Sequence, residues 1–587
     1  MSDAHLLITE NIDVWTTAIK KRSATGRGSN KKIELTGIKK LRELILELAV
    51  RGKLVPQDPN DEPASILLEK IAAEKAQLIK DKKIKKAKVL PEIGESEKPF
   101  ELPKDWAWAY FPDISYYSPG KTPSTKNATY WEEGKTGIPW VSISDMDHYQ
   151  AINNTSKKVS KEASTNVFKG NLVKAGTLLM SFKLTVGKIS ILGIDAYHNE
   201  AIIAVTPFDG ILQKYLYRFL PSRAQAGNTK KAIMGNTLNS ESLALILFPI
   251  PPLAEQHRIV SKVDELMALC DQLEQQTEDS ITAHKTLVET LLATLSNSEN
   301  PAAFNQNWIR IAAHFDTLFT TEHSIDQLKQ TILQLAVMGK LVPQNPNDEP
   351  ASVLLEKIAA EKEQLIKDKK IKKQKLLLKI VDEEKLIELP QGWRWAQCAD
   401  LSNPEAIITY GILKPVWVKN GVLTVRIKDM IKGKVALDNI VQCSLEHANK
   451  FSKTTLLEND LLIAKDGGTL GKTAFVPTEL VGGNVTQHVL RFSIADKLNR
   501  KFIRFIIDSP IGQGWMKRET KGVALPGVNV VDFKRMPMAI PPLNEQYRIV
   551  AKVDELMTLC DQLKALLSEA QTTQLHLAGA IVEQAVN

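Results

Sequence analysis

The chain has 587 residues, 43% apolar and 25% charged, with a net charge of +8 and four cysteines. These values fit an ordinary globular chain of several domains; four cysteines in such a length do not make a disulfide scaffold, and no apolar run is long enough to span a bilayer. The charge permits a polyanionic partner without requiring one.

The opening MSDAHLLITENIDVW lacks the basic-then-apolar layout of a signal peptide, so a reducing, cytoplasmic setting is expected. Residues 1–36 have no clear internal match and hold the basic stretch KKRSATGRGSNKK, Lys20 to Lys32, read as a partly flexible N-terminal arm. From residue 37 to 100 the pattern is helix, Pro/Asn/Asp turn, helix. Leu41, Ile45 and Leu48 stripe the first helix, Gly52 stops it, and Asp61 is placed to cap the next, with Pro63 in its first turn. The second helix fades into a lysine run, Lys80–Lys88, which returns as Lys367–Lys375 and is expected on the helix end.

The whole block recurs. Gly52 matches Gly339, Pro63 matches Pro350 and Asp81 matches Asp368, each pair 287 apart, and the register continues to Trp106 and Trp108 against Trp393 and Trp395. Identity this dense over about 70 residues marks a duplication. A second repeated element starts at Ile250 as IPPLAEQHRIVSKVDELM and at Ile540 as IPPLNEQYRIVAKVDELM. Each reads as a long helix begun after a Pro-Pro pair, with an apolar seam at steps of 4 and 3. The seam is Ile259, Val263, Leu266, Cys270 and Leu273 in one copy, and Ile549, Val553, Leu556, Cys560 and Leu563 in the other.

Between the repeated parts lie two stretches that barely resemble each other. Both are rich in short β-like runs punctuated by Gly, Asn and Pro: GIPWVSIS, GTLLMSF, VGKISIL and AIIAVTP in the first, GVLTVRI, DLLIAK, TAFVP and HVLRFSI in the second. Each is expected to be a mixed α/β head with its own core. The chain then divides into an arm (1–36), a helical frame (37–100), a head (101–250) and a spacer helix (251–300). A linker with the second frame (301–387), a second head (388–540) and a second spacer helix (541–587) follow.

No catalytic constellation stands out. CxxC, HExxH, G-x-S-x-G and [DN]-P-P-[YF] are absent, so neither a metal site nor a base-methylating centre is signalled. DGGTLGKT, Asp466 to Thr473, is one residue short of a P-loop: the first glycine would fall at Asp466, whose charge opposes a phosphate. A strand–turn–strand is the plainer reading. The heads do carry polar loops suited to DNA. In the first these hold Lys121, Thr122, Ser124, Lys126, Asn127, Ser142, Ser144, Lys183 and Lys188. In the second they hold Lys414, Arg426, Lys428, Lys465, Lys472, Gln487, His488, Lys517, Arg518 and Lys521. Lys and Arg neutralise phosphates, while Asn, Gln, Arg and Ser read base edges.

The layout, together with GKTPSTKNATYW…GIPWVSISDM, the two IPPL.EQ.RIV.KVDELM helices and the two LP..W.W strings, resembles the specificity subunit of a bacterial type I restriction–modification enzyme. The duplicated LAV.GKLVPQ.PNDEPAS.LLEKI blocks look most like its IB branch. The likeness runs from about residue 37 to the end and is weaker in the second head, where TYGILKPVW replaces the G-x-T-P-S segment. It implies an α+β architecture: two target-recognition domains separated by long, antiparallel, coiled-coil-like helices, with a pseudo-twofold internal repeat. It also implies double-stranded DNA, two modification subunits and two restriction subunits as partners, and no membrane. S-adenosylmethionine, ATP and Mg would be held by those partners, and this chain would be non-catalytic. Two readings compete with it: a nucleotide-binding enzyme built on Gly467–Thr473, and a helical adaptor whose heads bind proteins.

Overall fold

A computed structural model describes the chain except residues 1–2, 22–32, 87, 133, 135, 227–229, 233–234, 374–376, 386, 523–525 and 587. Most of the basic stretch Lys20–Lys32 therefore lies outside the described residues. The chain forms two units, residues 1–279 with 571–587, and residues 280–570. Each unit holds one frame, one head, the larger part of one long helix and the end of the other. Among the described residues, no helix is long and apolar enough to cross a membrane.

In the first unit, helices Asp3–Thr9 and Ile12–Thr17 precede the two-residue strands β1 (Lys20–Lys21) and β2 (Ile33–Glu34). The arm is thus helical over much of its described part. Trp15 is fully buried, and the Gly37 N–H donates to the Ala18 carbonyl at 2.8 Å. Helix Thr36–Val50 follows, with Leu41, Ile45 and Leu48 inward, and ends at Gly52, whose φ of +69° closes the turn without a Cβ penalty. Helix Ala64–Lys80 starts after Pro63 with no side-chain cap. Asp61 does not cap it: its carboxylate instead accepts from Arg258 at 2.6 Å, a charged partner on the long helix. The lysine runs also fall differently from expectation. The helices stop at Lys80 and Lys367, so most of each run lies past the helix end, where Lys82 and Lys369 take φ of +58° and +57°.

The first head begins with β3 (Ala107–Tyr110). It continues through β4 (Ser115–Pro119), β5 (Ile138–Val141), β6 (Gln150–Ile152), β7 (Lys157–Val159), β8 (Leu178–Ser181), β9 (Ile189–Leu192), β10 (Tyr197–His198) and β11 (Ile202–Pro207). A hairpin of β12 (Lys230–Ala232) and β13 (Gly235–Thr237) and the closing strand β14 (Leu247–Ile250) complete it. One sheet has the order β4-β11-β8-β9-β6 and a second β10-β5-β7, while β14 pairs antiparallel with β3. The first long helix, Leu253–Ser296, leaves directly from β14.

The second unit repeats this plan. Helices Glu322–Val337 and Ala351–Lys367 form its frame, and Gly339 again has φ +69°. Its strands are β15 (Arg394–Gln397), β16 (Thr409–Tyr410), β17 (Trp417–Val418), β18 (Val422–Val425), β19 (Met430–Ile431), β20 (Lys434–Val435), β21 (Val441–Cys443), β22 (Leu461–Ala464), β23 (Thr473–Phe475), β24 (Asn484–Val485), β25 (Val489–Phe492) and β26 (Pro537–Ile540). The sheets are β16-β25-β22-β23 and β17-β21-β18-β24, β19 pairs with β20, and β15 pairs with β26 before the second long helix, Leu543–Val586. One core joins frame, head and helices here. Ile325 and Ile332, Trp393, Ile549, Val553 and Cys560, and Val288, Leu292 and Leu295 from the end of the first long helix share it. All eight β-like runs read from the sequence carry strands.

Candidate nucleic-acid interface

The two heads share a topology that their side chains hide. The order β4-β11-β8-β9 corresponds to β16-β25-β22-β23, and β10-β5-β7 to β24-β18-β21; in each head the pair β5/β10 or β18/β24 is parallel. Backbone bonds fix the register. Phe182 N–H donates to Ala201 O at 2.9 Å, and Lys465 N–H to His488 O at 3.0 Å. Lys121 N–H donates to His198 O at 2.9 Å, and Ile412 N–H to Val485 O at 2.7 Å. The residue before each of the latter donors is a glycine for a steric reason. A Cβ at Gly120 would lie 2.0 Å from His198 O, and one at Gly411 would lie 1.8 Å from Val485 O. Thus TYGILKPVW occupies the place of SPGKTPST.

The turn after β8 matches the turn after β22, FKLTVGK against KDGGTLGK. Gly187 and Gly471 take φ of +86° and +83°, and each donates its N–H back across the turn, to Ser181 O and Ala464 O. The P-loop-like string is therefore a strand–turn–strand: β23 follows Lys472, where a phosphate loop needs a helix N-terminus. A second pair of matching loops is Ser142–Met146 and Arg426–Met430. Each is a short 3-10 turn closed by an aspartate that accepts from the first residue's backbone N–H at 2.8 Å, Asp145 from Ser142 and Asp429 from Arg426.

The sequence-chosen residues divide by what holds them. Several are tied inside the protein and shape the loops. Lys121 donates to Val167 O at 2.8 Å and Lys188 to Ile143 O at 3.3 Å. Ser142 bonds Asp145 at 2.6 Å and Ser144 at 2.7 Å. Arg426 grips Asp429 with two bonds of 2.9 Å and Asn439 O at 2.6 Å. Asn127 caps a 3-10 turn through Thr129, and Lys521 pairs with Asp532 at 2.7 Å. Lys183 lies against the Phe182 ring, 5.1 Å from its centre. Thr122, Ser124, Lys126, Lys414, Lys428, Lys472, Lys517 and Arg518 are exposed.

Three of them come together. Lys465 bonds both oxygens of Asp466 at 2.9 Å, His488 Nδ1 meets Asp466 Oδ2 at 2.7 Å, and Gln487 Nε2 meets His488 Nε2 at 3.1 Å. The Lys465 ammonium also sits 5.9 Å from the centre of the Tyr410 ring. Asp466 and Tyr410, which the sequence reading did not choose, are the centre and the wall of this cluster. The matching positions in the first head are Phe182, Lys183, Glu200 and Ala201, so the same backbone presents different chemistry.

Titration differs locally too. Burial pushes the Asp145 carboxyl up, but hydrogen bonds from Ser142 and Ser156 outweigh it and hold the group below the usual range. Burial drives His198 down to about 4, so it is neutral beneath Gly120.

The helix seam is buried at Ile259, Val263, Leu266, Cys270, Ile549, Val553 and Cys560, and half-buried at Leu273, Leu556 and Leu563. A polar latch beside it escaped the sequence reading. At the root of the first head, Glu255 accepts from Trp106 Nε1 at 2.9 Å and from Gln57 Nε2 at 2.8 Å; Glu545 accepts from Trp393 at 3.1 Å and Gln344 at 3.4 Å. Next to each, Arg258 pairs with Asp61 at 2.6 Å and Arg548 with Asp348 at 2.7 Å. Both glutamates are buried, and burial pushes both carboxyls up. The signal was in the repeat: Glu-Gln and Arg are kept in both copies while the exposed neighbours His257 and Tyr547 differ.

Comparison with known proteins agrees with this doubled plan. Residues 103–283 and 417–571 match the family described as the type I restriction modification DNA specificity domain. The chain is 41% identical to the specificity subunit of the Escherichia coli type I restriction enzyme EcoAI, over 99% of both chains. It is 38% identical to that of EcoEI from the same organism, again over 99% of both. A solved HsdS subunit from Thermoanaerobacter tengcongensis, 17% identical, aligns over 83% of this chain and 98% of its own with a TM-score of 0.38. The chain belongs to the specificity subunits of type I restriction–modification enzymes, and its two heads are DNA-recognition domains.

Proposed function

We propose that each head reads one half of an asymmetric bipartite sequence in double-stranded DNA, and that the chain itself performs no catalysis. One observation carries this. The two heads share strand order and backbone register yet present Phe182, Lys183, Glu200 and Ala201 in one and Lys465, Asp466, Gln487 and His488 in the other. Equal backbones with unequal side chains are what two different half-sites on one scaffold require. The exposed Thr122, Ser124, Lys126, Lys414, Lys428, Lys472, Lys517 and Arg518 contact DNA. The tied residues Lys121, Asn127, Ser142, Ser144, Lys188, Arg426 and Lys521 set the loops, with Lys183 beside them.

The two frames dock two modification subunits, which bring S-adenosylmethionine for adenine methylation, and two restriction subunits bring ATP and Mg. The duplicated frame blocks support the IB branch. A cytoplasmic location goes with partners that act on chromosomal and incoming DNA. The test is a long-read map of modified bases in a host carrying the partner subunits, with and without this gene. A two-part N6-methyladenine motif with a fixed unread gap should vanish on deletion. An unchanged methylation pattern refutes DNA targeting and favours the adaptor with protein-binding heads.

A further inference from the structure

The heads differ around a pair of matching tryptophans, Trp131 and Trp417. Trp131 pairs with Val159 of β7, and Trp417 with Cys443 of β21; each precedes the strand, β5 or β18, whose partner across β7 or β21 is that same residue. The two tryptophans are therefore register equivalents. In the first head ten residues separate Gly120 from Trp131, and this loop covers the ring. Trp131 Nε1 donates to Ser124 O at 3.2 Å, Trp140 packs edge-on at 5.1 Å, and Lys157 lies 5.5 Å from the ring centre. In the second head only five residues separate Gly411 from Trp417. The shortened loop leaves the ring bare. Leu413, Val416, Trp417 and Val418 are 38–51% exposed, on the edge strand β17 and the loop before it.

This edge is firmly held. Ser444 N–H donates to Val416 O at 2.9 Å, His447 Nε2 contacts Leu413 O at 3.0 Å, and Gly421 N–H donates to Gln442 Oε1 at 2.6 Å. Lys414 is fixed in a left-handed conformation, φ +45°, which L-residues adopt at a cost and which is found where function sets the backbone. A rigid, water-exposed apolar edge calls for a partner. Two features indicate which. Residues 409–421, TYGILKPVWVKNG, contain two lysines and no acidic residue, so the edge is complementary to a polyanion. It is also continuous with the polar cluster of the candidate interface. Gln487 N–H donates to Ile412 O at 3.0 Å, and Lys465 lies over Tyr410.

We propose that Leu413, Val416 and Trp417 form an apolar wedge that packs on the bases of duplex DNA and opens a base step beside the bases read by the second head, with Lys414 and Lys419 on the flanking phosphates. This rests on the DNA-reading function proposed above. Architectural DNA binders use apolar wedges in this way, and the unstacking is repaid by contacts that the bent duplex allows.

The test uses the full chain in complex with its modification subunits and a duplex carrying the mapped site, titrated over a range of salt. Trp417→Ala should weaken binding about ten- to a hundredfold, the loss seen when an aromatic contact to a base is removed, with an unchanged salt slope because no phosphate contact is lost. Lys414→Ala should lower that slope by about one. Trp417→Phe should restore most of the affinity, and Leu413→Ser, at an exposed loop position, should reproduce a weaker loss. 2-Aminopurine placed in the second half-site should brighten with the wild type and not with Trp417→Ala. Wild-type affinity in both Trp417→Ala and Leu413→Ser overturns the wedge. Lost assembly with the modification subunits overturns it in favour of a protein-facing edge. A wild-type complex with no preference for any bipartite site would instead remove the functional reading on which the wedge rests.

Discussion

Glu255 is the sharpest place to test how a head is fixed to its helix. One carboxylate oxygen accepts from the buried Trp106 Nε1 at 2.9 Å, the other from the exposed Gln57 Nε2 at 2.8 Å, which also donates to Gly52 O at 3.1 Å. Glu255→Ala strands the indole donor, while Gln57 keeps Gly52 O and solvent. A buried donor without an acceptor costs about 1–3 kcal/mol, and the lost bond from exposed Gln57 adds about 0.5 kcal/mol. The substitution also removes a carboxylate that burial disfavours, as its raised pKa records, which leaves about 1–2 kcal/mol as the net loss. In a unit of this size, each kcal/mol moves the thermal midpoint by about 2–4 °C, so the first unit should melt about 2–8 °C lower. Glu255→Gln keeps one acceptor oxygen and should lose about half as much. Glu265→Ala, whose exposed carboxylate pairs with Lys262, should move it by less than about 2 °C. The pH dependence has a definite sign. A glutamate whose folded pKa is raised contributes its stability below the unfolded value and loses it as pH rises through the folded value. The gap between wild type and Glu255→Ala is therefore widest in acid and narrows toward neutrality. Scanning calorimetry across pH reads both effects. A Glu255→Ala midpoint within 1 °C of wild type, or a gap that widens with rising pH, refutes the latch.

The remaining expectations concern the heads and their spacing. Gly411→Ala puts a Cβ 1.8 Å from Val485 O, so the loop must move, at a cost of about 1–3 kcal/mol. In competition assays with altered duplexes, changes in the second half-site should then cease to matter while changes in the first still do; Gly120→Ala should give the reverse. Ser142→Ala removes a 2.6 Å bond to Asp145 and should cost about 1 kcal/mol at neutral pH. Because Asp145 is held below its ordinary value, that stability is present above the unfolded value and lost as pH falls through the folded one, so denaturation curves of variant and wild type should converge in acid. Removing one heptad from each 44-residue helix shortens it by about 10 Å, or about three base pairs of duplex. The methylated motif should keep its two halves and lose about three unread bases; a tolerated deletion with an unchanged gap refutes the helix as a ruler.

What could be read from the sequence follows from what the duplication kept. The frame was legible because Gly52 and Gly339, or Trp106 and Trp393, recur at one spacing and face one constraint, a left-handed turn or a buried indole. The strands were legible because β-branched runs such as AIIAVTP and HVLRFSI fit a buried sheet. The latch was present in the same repeat, yet a helix seam is recognised by its apolar residues, and Glu255 and Gln256 are polar residues buried next to that seam. The kinship of the heads was beyond reach for a different reason. It is carried by backbone bonds, Phe182 to Ala201 and Lys465 to His488, and a backbone bond leaves no mark on the side chains at either end. That same independence lets the second head replace Phe182 by Lys465 and Ala201 by His488 and drop five residues before Trp417 while the strand order is kept. The loops can then change without change in the frame. An almost identical frame carrying nearly unrelated heads is the expected imprint of that independence under the function proposed above, in which the loops follow the DNA that is read and the frame follows the subunits that dock.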